Sequence, residues 1–280
     1  MGRLSGFIRI LRPVNSVMVG FGVLVGIIIA AGLYRVELST LALAFITGFT
    51  LTGSAMVIND YFDRQIDSVN EPGRPIPSGE VNSSEAIVYS LVLSIVGLCA
   101  AYLTGLKSLS VAIFAWLVMM SYSAWGKRTG FPGNIMVSIC IALPFIYGGV
   151  IAGNTFVTIF FSLLAFLSNT GREVTKGIVD IEGDRGRGVR TVAVSYGPLK
   201  ASYLASTFYF LSIVVSVAPY VLGMVSFWYI PFVIVTDAGL IYSAIRLLRD
   251  HDRETSRHVK NQTLYWMLLG LIAFTAGSLT

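Results

Sequence analysis

Charge is what this 280-residue chain has least of: Asp, Glu, Lys and Arg together make up 12% of it, about half the share in ordinary soluble domains, which is about 25%. That shortage argues against a water-soluble globular fold. Histidine is confined to His251 and His258, both in the polar stretch HDRETSRHVK, where solvated loop positions are expected. Cysteine is confined to Cys99 and Cys140, each inside an apolar run. Two isolated thiols imply no disulfide framework and no Cys/His metal site, and both are expected in the core. Strict apolar–polar alternation is missing as well, which excludes a membrane β-barrel. No polar stretch is long enough for a soluble domain; the longest are 63–83, 180–197 and 249–261.

What the chain has instead is apolar runs of about 20 residues, the length a helix needs to cross a hydrocarbon core. The first, from Val14 to Leu33, is too long for the apolar part of a signal peptide and ends in no small-residue cleavage site, so it reads as a span. Breaks at charged, Gly and Pro clusters place nine spans near 14–34, 39–62, 84–104, 108–124, 132–152, 155–178, 199–222, 226–248 and 262–279. The expected fold is an all-α polytopic membrane helix bundle of nine transmembrane helices, one domain over residues 1–280. With nine spans, 18 of the 20 Lys and Arg residues fall on one side and only Arg35 and Lys107 on the other. The positive-inside rule then puts the N-terminus and the charged loops in the cytoplasm of a cell-membrane protein, with the C-terminus opposite.

Two acidic clusters lie on that charged face. In INDYFDRQIDSVNEPGRPIPSG, Asp60, Asp63 and Asp67 stand at i, i+3 and i+7, and a helix continuing through them presents all three on one side, with Asn59 one turn before Asp63. In IVDIEGDRGRGVRT, Asp180 and Asp184 are again one turn apart. Each pair lies 117 residues from its counterpart, a weak parallel repeat. Like charges at these spacings repel, and the bland alternative is a pair of solvated helix ends. A divalent cation relieves the repulsion, and carboxylates without nearby Cys or His suit Mg²⁺, which completes its shell with water and substrate phosphates. Arg64, Arg74, Lys127, Arg128, Lys176, Arg187 and Arg190 lie in the same loops and suit phosphate oxygens. The basic residues are dispersed among acids and form no continuous stripe, so no nucleic-acid partner is expected. A lipid-linked diphosphate fits: metal and Arg hold the head and favour its departure, while the tail lies among the helices.

At this point the residues resemble a known family. NDYFDRQID is similar to the NDxxDxxxD motif of the UbiA superfamily of intramembrane prenyltransferases, and DIEGD to its second motif. NEPGRPIPSG, YSAWGKR and GRGVRTVAVSYG look like family segments in the expected order. The resemblance implies nine helices around a central cavity, with Asn59, Asp60, Asp63, Asp67, Asp180 and Asp184 surrounding Mg²⁺ bridged by a prenyl diphosphate. It further implies that Arg74, Lys127 and Arg128 bind the diphosphate, that Tyr122 lines the reactive end of the prenyl chain, and that Arg172 and Lys176 face the head groups. One departure stands out: many relatives carry an acidic residue where this chain has Gly177, and Glu182, offset by two from Asp180, is a poor substitute.

LRPVNS and GREVTKGIVDIEGD look most like the archaeal ether-lipid branch of the superfamily. In that branch the hydroxyl of geranylgeranylglyceryl phosphate attacks geranylgeranyl diphosphate. Arg12, Lys176 and Arg190 are then candidates for the acceptor phosphate. NEPGRPIPSG is equally like chlorophyll synthases, so aromatic and chlorophyllide acceptors stay open, with a cation transporter as a remote alternative. The partners expected are a prenyl diphosphate, a lipid or aromatic acceptor and the bilayer, with no obligate protein partner. Asn15 either touches a head group or makes a capping or interhelical hydrogen bond. Asp237, in mid-span, is either functional or hydrogen-bonded to a neighbouring helix. Phe145, Tyr147, Phe160, Phe161 and Phe166 either line a prenyl tunnel or pack against helices and lipid.

Overall fold

The computed structural model describes residues 3–31, 36–186 and 188–279. Arg35 and Arg187, counted above among the basic residues, lie outside the described residues. Thirteen α-helices are found in the described chain: α1 (Arg3–Ile10), α2 (Pro13–Ala31), α3 (Leu38–Asn70), α4 (Ser83–Thr104), α5 (Leu106–Ala124), α6 (Phe131–Ile151), α7 (Thr155–Val179), α8 (Ile181–Gly186), α9 (Val192–Tyr196), α10 (Pro198–Ser216), α11 (Ala218–Val221), α12 (Tyr229–Arg249) and α13 (Arg253–Ser278), with a 3₁₀ turn at Gly126–Arg128. Seven of them are long and apolar enough to cross a membrane, counting α10 with its continuation α11. The two other long helices, α7 and α13, fall outside that set. Both carry charged residues: Arg172, Glu173 and Lys176 in α7, Arg253 to Lys260 in α13.

Local chemistry sets the ends. Gly105 ends α4 and begins α5 at φ 128, a backbone state that lets two long helices meet with no further loop. Glu85 accepts from the Asn82 backbone N–H at 3.0 Å, closing the first turn of α4. Asp252 caps α13 by accepting from the Thr255 N–H at 2.7 Å. That cap moves the start of the last helix to Arg253, where the sequence reading placed a polar loop up to residue 261, and it puts His258 on the helix, 3.8 Å from Glu254.

Sequence neighbours pack as antiparallel pairs, α3 on α4, α6 on α7 and α12 on α13. Small residues set the closest approaches. A Cβ on Gly26 would meet the Phe145 backbone at 2.9 Å, and one on Gly148 the Ile27 nitrogen and Val23 carbonyl at 2.6 Å, so α2 and α6 touch backbone to backbone. Hydroxyls tie other helices: Ser54 of α3 bonds Ser90 and Ser94 of α4, and the Trp116 indole of α5 donates to Ser94 at 2.9 Å. An apolar cluster (Val174, Ala205, Tyr209, Leu240, Leu247, Val259) holds α10, α12 and α13 behind α7. The expected core thiols are corrected here: Cys99 is exposed on the outer face of α4 and Cys140 lines the central cavity. An apolar run fixes membrane depth and leaves open which side of the helix faces lipid. Asp237 accepts from Ser216 of α10 at 2.7 Å, the neighbouring-helix hydrogen bond of the two readings.

Candidate active site

A cavity of about 1040 Å³ opens between α2, α3, α5, α6 and α7. Its depth is apolar, with Val23, Leu51, Val111, Ala112 and Ile141 among the walls, and its mouth is charged. Both acidic clusters reach that mouth. α3 runs unbroken through the first motif to Asn70, so Asn59, Asp63 and Asp67 face the cavity from one side. α7 ends at Asp180, which leaves the helical conformation. The short α8 follows, with the Asp184 N–H bonded to the Asp180 carbonyl at 2.8 Å, and both side chains face the cavity from the other side.

The cations are already engaged. Lys127, on the 3₁₀ turn after α5, donates to Asp63. Arg74 donates to Asp67 at 2.8 Å and, through Nε, to Glu71 at 2.8 Å. Arg12 donates to Asp60 at 2.6 Å from a residue with φ 49, the one positive φ outside glycine among the described residues. Burial opposes the Arg74 charge, but the hydrogen bond to Glu71 and the charges of Asp60, Asp67 and Glu71 outweigh it and raise its pKa. The same hydrogen bond from Arg74, with its charge, holds Glu71 below the usual carboxylate range.

Of the residues expected at the site, Asn59, Asp63, Asp67, Arg74, Tyr122, Lys127, Arg128, Lys176, Asp180, Asp184 and Arg12 line this one cavity. Asp60 does not. It is 4% exposed and stands behind Arg12 and Arg74, between two guanidiniums. Arg172 is off the cavity wall and donates to Glu173 at 3.0 Å, Arg190 is exposed with its carbonyl packed on Gly130, and Asn15 is exposed at the start of α2. Glu182 is exposed and stays off the cavity wall. Among the five aromatics only Tyr147 lines the cavity; Phe145 and Phe161 pack against each other at 4.4 Å in a separate core.

Sequence reasoning passed over Glu173. It is 8% exposed, lines the cavity, and pairs with Arg172 and Lys176. The signal was there: it stands seven residues before Asp180 and eleven before Asp184, on nearly the same helical face. Gly177, the departure noted above, leaves room; a Cβ there meets nothing nearer than Thr191 at 3.6 Å.

The donor set fits a divalent cation shared with a ligand. Among the described residues no three His, Cys, Asp or Glu side chains form a group able to hold a metal ion alone. Mg²⁺ asks for less, typically one or two carboxylates with phosphate and water. Six carboxylates (Asp63, Asp67, Glu71, Glu173, Asp180, Asp184) face five cations (Arg12, Arg74, Lys127, Arg128, Lys176) around the cavity. A polyanionic head group entering so nearly neutral a mouth requires added positive charge.

Membrane-length helices enclosing an apolar cavity under a mixed-charge mouth define a membrane-embedded site for an amphiphile with an anionic head. Residues 19–272 match the model of the UbiA prenyltransferase family. The chain belongs to that family and is a prenyltransferase. It is 37% identical to the digeranylgeranylglyceryl phosphate synthase of Methanothermobacter thermautotrophicus over 275 residues, 98% of this chain and 96% of that one. With the Archaeoglobus fulgidus protein of the same name the identity is 36%, over 96% of this chain and 94% of that one. A solved structure of digeranylgeranylglyceryl phosphate synthase superposes with a TM-score of 0.92 at 29% identity, covering 100% and 99% of the two chains. A UbiA homologue from Archaeoglobus fulgidus bound to GPP and Mg²⁺ shares the fold, with a TM-score of 0.68 at 19% identity over 96% and 99%.

Proposed function

We propose that this protein transfers the geranylgeranyl group of geranylgeranyl diphosphate to the hydroxyl of geranylgeranylglyceryl phosphate, giving digeranylgeranylglyceryl phosphate for archaeal ether lipid. The observation that carries the reading is the single cavity with an apolar depth and both acidic clusters at its mouth, in a chain similar over its full length to synthases of that name.

Arg74, Lys127 and Arg128 bind the donor diphosphate, exchanging carboxylate oxygens for phosphate oxygens. Asp63, Asp67, Asp180 and Asp184, with Asn59, are the residues that would hold Mg²⁺, as the homologue bound to GPP and Mg²⁺ supports. Bound there, the metal supplies positive charge against the diphosphate as it leaves. Asp60 orients Arg12 and Arg74 from behind. Tyr122 stands beside the first carbon of the prenyl chain, and the apolar wall excludes water from it. The bond between that carbon and the diphosphate oxygen breaks with its electron pair on the diphosphate. The acceptor hydroxyl oxygen forms the ether bond and loses its proton to the phosphate or solvent. Arg12 and Lys176 face the same mouth and serve the acceptor's phosphate.

The bundle in this reading has nine spans, with α7 and α13 crossing beside the seven apolar helices and the cavity mouth in the cytoplasm. The test is an acceptor panel with the purified protein in detergent, geranylgeranyl diphosphate and Mg²⁺, products read by mass spectrometry with an EDTA control. The panel holds geranylgeranylglyceryl phosphate, 4-hydroxybenzoate, a dihydroxynaphthoate and chlorophyllide. Digeranylgeranylglyceryl phosphate formed only with metal is the expected result. A prenylated aromatic or tetrapyrrole instead overturns the acceptor and keeps the transfer.

A further inference from the structure

The cavity has a floor. Thr47, Val111, Ala112 and Tyr147 are its deepest lining residues. Between Asp63 at the mouth and Thr47 at the floor α3 advances sixteen residues, about 24 Å at a rise of 1.5 Å per residue. An extended geranylgeranyl chain, with roughly fifteen bonds along its backbone at about 1.2 Å of advance each, spans about 18 Å. The diphosphate and its contacts take up the remainder, so a donor of this length ends at the floor.

The floor is held rigidly. Tyr147 of α6 is 4% exposed, and its phenol oxygen lies 3.2 Å from Thr47 Oγ1 of α3 and 3.2 Å from Thr104 Oγ1 at the end of α4. A phenol buried at this depth must find polar partners, and these two, on two other helices, fix its ring in one orientation. The α6 backbone is fixed too, since Gly148, the next residue, lies against α2. Ile27 and Ala44, both almost fully buried, pack in the same cluster as Tyr147 and close the space around it. Beyond, Thr104 also lines a separate depression with Glu37 and Ile151. Tyr147 lines the cavity and Thr104 the depression, so this hydrogen-bonded pair stands between the two.

We propose that Tyr147, held by Thr47 and Thr104, sets the upper limit of donor chain length, admitting a C20 prenyl diphosphate and excluding a C25 one. This rests on the reading of the cavity as the donor site.

The experiment compares C15, C20 and C25 all-trans prenyl diphosphates as donors to geranylgeranylglyceryl phosphate, in the native protein and in Tyr147→Ala, Tyr147→Phe and Ala112→Phe. In Tyr147→Ala the kcat/KM ratio of C25 to C20 rises at least tenfold. In Tyr147→Phe, which keeps the ring and loses its anchors, it rises about threefold. Ala112→Phe fills the deep end and moves the preference toward C15. An unchanged ratio in Tyr147→Ala that still uses C20 overturns the proposal. If that variant does not fold, unchanged ratios in both others overturn it. Should the native protein make no product with this acceptor, the acceptor reading has failed, and the floor is read from binding alone. Thermal protection by C20 exceeding that by C25 in the native protein, and equal in Tyr147→Ala, supports the floor. Equal protection by both donors in the native protein overturns it.

Discussion

The ammonium of Lys127 donates a hydrogen bond to the Oδ1 of Asp63, joining the turn after α5 to the end of α3 across the cavity mouth. Neither side chain is more than 19% exposed. Each therefore holds the other's charge in a place where an unpaired ion is costly, and each is released when phosphate displaces the carboxylate.

Removing either half of the acidic mouth should stop the reaction while leaving the bundle folded. Asp63→Ala and Asp184→Ala are each expected to lower kcat by about 10³-fold, at the upper end of what losing one electrostatic stabiliser costs. Turnover assays alongside gel filtration of the same preparations check this. Full activity in either variant would remove that cluster from the mechanism.

Arg74 links Asp67, Glu71 and Asp60 through one guanidinium. Arg74→Ala is expected to raise the apparent KM for prenyl diphosphate by about tenfold or more, a loss of one charge-assisted contact. Arg74→Lys should recover only part of it, since an ammonium lacks the planar fork. Initial rates against donor concentration decide the matter, and an unchanged KM in Arg74→Ala excludes the residue from donor binding.

The two glycine classes should part company. Gly148→Val drives a side chain into the Ile27 nitrogen and the Val23 carbonyl, where even a Cβ would stand at 2.6 Å. A loss of about 1–3 kcal/mol is expected from such overpacking. Gly270→Ala in α13 meets only the Thr236 methyl at 3.6 Å and should be neutral or gain up to about 1 kcal/mol. Thermal unfolding in one detergent compares them.

The cap at α13 predicts a pH effect of definite sign. The Thr255 backbone N–H holds Asp252 below its usual pKa, so the folded state favours the carboxylate. Its contribution is present above the ordinary aspartate value of about 3.9 and fades as pH falls through the lower folded value. Asp252→Ala should therefore lower Tm at neutral pH, and the two melting curves should converge in acid. A gap that persists unchanged to low pH would mean that the residue acts otherwise than through its charge.

Much of this was legible in the chain. The i, i+3, i+7 aspartates announced that α3 runs beyond its apolar stretch, and it does, to Asn70. The same periodicity shows why the motif divides: Asp63 and Asp67 face the cavity while Asp60, three residues before Asp63, falls behind the guanidiniums. Spacing gives a common side of the helix, and only the placement of Arg12 and of Arg74 in the 71–82 segment says which part of that side is covered. Glu173 was hidden by its neighbours, since Arg172 and Lys176 made the segment read as basic. The start of α13 was hidden by polarity, because a helix whose first turns meet water carries no apolar signal there.

The helix α1 straps the segment after α3 in place: Arg9 donates to Glu80 at 3.0 Å and to the Gly73 carbonyl at 2.6 Å, and Arg3 pairs with Glu85. Directly behind it the chain turns at Arg12, which reaches Asp60 and the cavity. Residues 3–12, with no membrane-length apolar run among them, thus belong to the catalytic end of the molecule. A deletion of residues 3–10, or a rigid fusion partner tethered to them, would perturb turnover as surely as a substitution in either acidic motif. An affinity tag intended to be silent belongs on the C-terminal side.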